Sequence, residues 1–134
     1  MTQEEILEYN KRCAEFLGYE LITPQMRKRP EQWKGNSYWE HKDKANVHTS
    51  KKVLGRDGYL SFHSDWNWIM EVVESIEKID NVFVKIHTGG VFIHPINDTK
   101  NYISKQYNSS KKEAVIQAIN QFLIWYEQNN LQTI

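Results

Sequence analysis

The chain has 134 residues, with 17 bases against 17 acids and one cysteine. That length supports one hydrophobic core, and the lone Cys13 excludes an internal disulfide and a cysteine-based zinc site. Zero net charge argues against a protein that coats nucleic acid by charge alone.

No run of about 18 apolar residues is present to span a bilayer. The opening MTQEEILEYNKR is acidic and polar, unlike a signal peptide. A cytoplasmic protein without a membrane partner is therefore expected. Charge is unevenly spread. Residues 19–58 carry nine bases and five acids, net +4, whereas residues 59–81 carry one base and five acids, net −4. Neutralisation within one fold accounts for this, or a basic patch that faces a partner.

In chain order, the first expected element is a helix over Glu4–Leu17. Thr2 and Glu5 have capping-box spacing. Ile6, Cys13, Phe16 and Leu17 recur near the helical period with Tyr9 flanking, and Gly18 stands where a left-handed C-cap is favoured. Tyr19–Ile22 reads as a short strand closed by Thr23-Pro24. Residues 25–58 hold Pro30, Gly35, Gly55 and Gly58 among many Lys, Asn and Ser, and read as an irregular basic segment. Within it, Lys52–Leu54 is expected to pair with Leu60–Phe62 as a hairpin across residues 55–58.

Tyr59–His63 reads as a strand that turns directly into a helix over Asp65–Ile79. Ser64 is the expected N-cap, and Asp65 in the first turn suits the helix dipole. Ile69, Val72, Val73, Ile76 and Ile79 form its apolar stripe. Trp66 and Trp68, two residues apart, point to different sides.

Val82–Ile96 is the clearest hairpin, turning at Thr88-Gly89 or Gly89-Gly90. With either turn, Val84, Ile86, Val91 and Ile93 share one face. Phe83, Lys85, His87, Phe92, His94 and Ile96 share the other. The second set is half apolar, so partial cover on both faces is expected, and Pro95 marks an edge or a strand end. Residues 97–108 read as a polar connection. Ser110 and Glu113 then open a last helix over Lys111–Gln128, with Val115, Ala118, Ile119, Phe122 and Tyr126 as its stripe, widened by Ile116, Leu123 and Ile124. The tail from Asn129 is expected to fray.

These elements predict a single α+β domain over 1–134: a small, mainly antiparallel sheet with a β-hairpin, packed by about three helices in an α/β/α-type sandwich. Three stretches, EFLGYE at 15–20, YLSFHSDWNWIMEVVESIEKI at 59–79 and KKEAVIQAINQFLIWYEQN at 111–129, together resemble small uncharacterised proteins encoded in phages, prophages and their bacterial hosts. Those proteins are similar to the phage ABA sandwich domain. The resemblance covers the two ends and the middle of the chain. It implies a helix–sheet–helix layering and a phage-linked context, but no activity, cofactor or functional residue.

No catalytic or cofactor signature is present. The five histidines lack the helical spacing of a zinc site. His87 and His94 share a hairpin face in a near or diagonal relation, where His63 or Asp65 would have to complete a metal site. Two partly exposed histidines beside Phe83 and Phe92 is the simpler reading, and no metal or cofactor is assigned. His63 and Asp65 can form an acid/base pair, but Asp65 already has a role at a helix N-terminus, and no nucleophile elbow accompanies Ser61 or Ser64.

Arg27, Lys28 and Arg29, followed by Trp33 and Trp39, interleave bases with aromatics as a single-strand-binding surface does. The leading expectation is a small, non-enzymatic, phage-type accessory protein, monomer or homodimer, that acts by protein–protein interaction. Its candidate binding residues are His63, Asp65, Trp66, His94, Arg27, Lys28, Arg29, Trp33 and Trp39. The alternatives are a single-stranded nucleic-acid-binding module and a small metal-dependent or acid/base enzyme at His63 and Asp65.

Overall fold

A computed structural model describes residues 1–23, 37–42, 53–79, 82–87, 90–95, 103–106 and 110–130. The protein is α+β, as the sequence predicts; the described residues form three helices and two three-stranded antiparallel sheets where one sheet was expected. It divides into two compact units, Met1–Ser61 and Phe62–Ile134.

In the first unit, α1 spans Gln3–Phe16, and the Glu5 amide donates to Thr2 Oγ1 at 3.1 Å as the capping pattern predicts. Gly18 follows with φ +94°, and its amide bonds the Glu15 carbonyl at 3.1 Å. A Cβ there would come 3.0 Å from His41 Nε2, so both conformation and space ask for glycine. The buried residues of α1 are Tyr9, Asn10, Cys13 and Ala14, so Tyr9 lies at the centre of the apolar face rather than on its flank.

The Tyr9 hydroxyl is sealed from solvent and makes no well-formed hydrogen bond. The Cys13 thiol, one turn on, is the weak partner that faces it. Burial pushes the Cys13 thiol up to about 12 and holds the Tyr9 phenol well above its ordinary range. Cys13 is thus a sealed apolar residue, not an activated nucleophile.

Strand β1, Tyr19–Ile22, pairs with β2, Tyr38–His41, which pairs with β3, Val53–Arg56. The ladder shifts between Trp39 and Glu40, where Gly55 and Val53 are their partners and Leu54 is bulged. Of the hairpin expected between Lys52–Leu54 and Leu60–Phe62, Lys52 lies outside the described residues, and Val53 and Leu54 belong to β3, whose partner is β2 and not Leu60–Phe62. Residues 56–59 make a turn, with the Tyr59 amide on the Arg56 carbonyl at 3.0 Å and Gly58 at φ +89°. The chain from Tyr59 to His63 is therefore not a strand. Its alternation is real, since Tyr59 is 68% exposed while Leu60 and Phe62 are 4% and 0% exposed. Alternate burial in an irregular segment looks like a strand in one dimension.

In the second unit, α2 spans Trp66–Glu77 and is capped by Asp65 rather than Ser64. The Asp65 carboxylate accepts the Asn67 amide at 2.8 Å. Both residue types cap helices, and a carboxylate also interacts favourably with the helix dipole. Ile69, Val72, Val73 and Ile76 are its buried stripe, as predicted.

Strand β4, Val82–His87, pairs with β5, Gly90–Pro95, and β5 pairs with β6, Ile103–Gln106. β6 falls in the stretch read as a polar connection. ISKQ offers one buried apolar side chain, Ile103, so its pairing comes from the open side of β5 and not from its own pattern. Pro95 ends β5 opposite Val82, so it marks a strand end. Helix α3 spans Lys111–Asn130, two residues longer than predicted, and the Glu113 amide donates to Ser110 Oγ at 3.2 Å. Its buried residues include Val115, Ile116, Ala118, Ile119, Phe122 and Leu123, whereas Ile124 is 36% exposed.

Helix α2 packs on β4, α3 on β5 and β6, and the two helices touch. They therefore share one face of this sheet, the face on which Val91, Ile93 and Ile103 are buried. No helix among the described residues is long and apolar enough to cross a membrane.

Candidate functional site

The other face of the β4–β6 sheet carries the most unusual set of side chains in the second unit. Register places Phe83 opposite His94, Lys85 opposite Phe92, and Phe92 opposite Ser104. His87 stands opposite Gly90. The absent side chain at Gly90 leaves room for the His87 ring to lie diagonally over Phe92, stacked at 5.0 Å and 17°. Phe83 and His94 meet edge-on at 5.2 Å and 71°.

Phe83 is 46% exposed, Lys85 and Ser104 are exposed, and His87, Phe92 and His94 are half-buried. Four aromatic rings and a cation thus stand on one face of a sheet whose reverse faces the core. Among the described residues on this face there is no carboxylate.

The register also separates the two histidines. His94 lies in the Phe83 row and His87 in the Gly90 row, four residues along β4, or about 13 Å. The near or diagonal relation expected from the sequence is not present, because the hairpin pairs His87 with Gly90. Two imidazoles at that separation do not share an ion. Among the described residues no three His, Cys, Asp or Glu side chains gather as metal ligands would.

His63 and Asp65 lie at the entrance to α2. Asp65 is engaged as its cap, and His63 is half-buried in the turn before it. Lys112, from the first turn of α3, closes this junction. Its ammonium donates to the Ser64 carbonyl at 2.8 Å and stands 5.8 Å from the centre of the Trp66 ring. Trp66 is 37% exposed, while the half-buried Trp68 packs edge-on against the buried Phe62 at 4.8 Å, so the two indoles differ in their surroundings. The junction is built as a helix start held by a second helix.

Of the basic-aromatic candidates, Arg27, Lys28, Arg29 and Trp33 lie outside the described residues. Trp39 is described and is 2% exposed in the centre of the first sheet, its indole N–H donating to Asp57 Oδ1 at 3.1 Å. Its ring is used in that core and is not available to stack on a ligand.

Sequence reasoning named His94 among the candidates but passed over Phe83, Lys85, His87 and Phe92 as binding residues. The signal was present in the hairpin parity, which put them on one face; what was missing was that both helices would choose the other face. Comparison with protein-family models, with curated proteins and with solved structures found no match.

Proposed function

We propose that this protein acts by binding a macromolecular partner, without chemistry of its own, and that the open face of the β4–β6 sheet is where it binds. The observation that carries this reading is Phe83. It is a large apolar side chain left 46% exposed on the edge strand β4, at one end of a row of rings, in a unit that has an ample aliphatic core in which to bury such residues. Rigid aromatic side chains with low entropy cost are the usual anchors of interfaces. Asp65 and His63, the residues that an acid/base reaction would need, belong to a helix cap and the turn before it. The phage-type accessory role that the sequence resemblance suggests agrees with a binding protein, and brings no residue roles with it.

The test is capture from a bacterial lysate with the tagged full chain and with its Phe83→Asp variant, each with and without nuclease. A stoichiometric component, protein or nucleic acid, held by the parent and lost from the folded variant supports the reading. Identical captures by the two proteins, or none by either, would remove the open face as the binding site.

A further inference from the structure

Resting on that reading, we infer that the occupant of the open face is single-stranded nucleic acid, its bases stacked on Phe83 and Phe92 and its phosphates drawn to Lys85. Three observations point there together.

The first is the layering. Helices α2 and α3 cover one face of a three-stranded antiparallel sheet, and the opposite face presents rings from its neighbouring strands β4 and β5. A sheet face with aromatic side chains is a stacking platform for unpaired bases, each of which has a π-face whatever its sequence.

The second is the arrangement of the rings in two groups. Phe83 with His94 lies one row along the strands from Phe92, about 7 Å away, and His87 backs the second group by stacking on Phe92. Successive bases of an extended strand thus find separate platforms. The partner rings hold each phenyl in place, so little side-chain freedom is lost on binding.

The third is charge. The described side chains of this face are Phe83, Lys85, His87, Phe92, His94 and Ser104, which comprise a cation, two histidines and no acid. The chain as a whole has no net charge, so the absence of carboxylates is local to the face. A polyanion is attracted here and a polycation is not. A protein ligand would gain from the rings but would have no use for a face cleared of acids, which is why nucleic acid is the favoured occupant. Duplex is disfavoured, because its bases are already stacked and do not present their faces.

The experiment is fluorescence anisotropy of a labelled mixed-sequence single-stranded oligonucleotide against the purified full chain. The same strand annealed to its complement is the comparison, over a range of salt. Saturable binding to the single strand, stronger than to the duplex, is expected. Phe83→Ala should weaken it about tenfold, the loss of one stacked base. Lys85→Ala should weaken it and make the slope of log K against log salt shallower by about 0.7, one phosphate contact on a single strand. Phe83 and Lys85 are exposed, so both variants keep the fold, and circular dichroism verifies that.

The inference is overturned if neither strand binds, if duplex binds as well as single strand, or if both variants bind as the parent does. It is also overturned if only the combined Arg27→Ala, Lys28→Ala and Arg29→Ala variant loses binding. A nuclease-resistant protein partner released by Phe83→Asp, with no affinity for the oligonucleotide, would overturn the nucleic-acid inference and leave the binding reading standing. No Phe83-dependent capture and no oligonucleotide binding would overturn both.

Discussion

The cores of the two units draw on aromatic residues to different degrees. In the first, Tyr9, Tyr19, Tyr38 and Trp39 are 0%, 5%, 9% and 2% exposed and make much of the core. In the second, the core is mostly aliphatic, built from residues such as Ile69, Val72, Ile76, Val91, Ile93 and Ile119, while Phe83 and Trp66 stand at the surface. A core of tyrosine and tryptophan must also find a place for their polar tips. Trp39 gives its N–H to Asp57, and the Tyr9 hydroxyl is shut in with Cys13. An aliphatic core has no such obligation, and it leaves rings free for the open face of the sheet. Ring count alone therefore says nothing about binding; what matters is which rings remain outside once each core is filled.

The largest effect expected from this contrast is in the aliphatic core. Ile93 is 1% exposed under the helices, so Ile93→Ala should lower the unfolding free energy in urea by about 3 kcal/mol, from lost burial and the cavity left behind. A loss below about 1 kcal/mol would mean that the helix-covered face is loosely packed, and that the two faces of the sheet differ less than they appear to.

The second effect separates the units by pH. Cys13 has a folded pKa of about 12 against an ordinary 9.0. Below pH 9 both states hold the proton, and this contribution to stability is fully present. Between 9 and 12 the unfolded chain releases it and the folded chain does not. Stability then falls as pH rises, by at most about 1.4 kcal/mol per unit, with Tyr9 adding a term of the same sign above its ordinary 10.0. Urea midpoints measured from neutral to alkaline pH should therefore decline, and the decline should be smaller in Tyr9→Phe. That variant should also lose no stability at neutral pH, because it removes a buried hydroxyl without a well-formed hydrogen bond. A strongly destabilised Tyr9→Phe would show that the hydroxyl is satisfied, and would spoil the contrast between the cores.

A smaller effect is expected where the first core does satisfy its polar tip. Asp57→Ala removes the acceptor of the Trp39 N–H and should cost about 1 kcal/mol, the desolvation of an abandoned buried donor. No change in the urea midpoint would mean that water takes the place of the carboxylate.

Local signals in the sequence did well where one residue decides the outcome. Thr2 and Ser110 cap the helices they were expected to cap, Gly18 takes a positive φ, and the hairpin parity put Val91 and Ile93 on one face, which is the face buried under the helices. Ser64 lost to Asp65 as a cap because two adjacent residues offer the same chemistry and the sequence does not rank them. Partner choice was the larger gap. β3 pairs back to β2 and not forward to Leu60–Phe62, and β6 exists because β5 has an open side. Neither choice is written in the strand concerned. For the candidate site, the residues of the open face were legible as a set, but which face the helices take follows from packing summed over α2 and α3. Trp39 misled for the complementary reason, since an aromatic among bases looks like a binding residue until its own sheet closes over it.

The smallest expected effect is the most telling for the reading of function. Phe83→Ala should change the unfolding free energy by no more than about 0.5 kcal/mol, although the same truncation at Phe122, which is 0% exposed, should cost about 3 kcal/mol or more. The Phe83 ring touches His94 across the hairpin, so its removal forfeits one exposed ring contact and no core volume. Urea titration of the two variants side by side measures the gap directly. If Phe83→Ala proves as costly as Phe122→Ala, then Phe83 is held for stability, the open face is a second packing surface, and its exposure needs no ligand to explain it. If Phe83→Ala is silent in stability but loses its partner, the same ring is dispensable to the fold and necessary to the interaction, as a residue retained for binding should be.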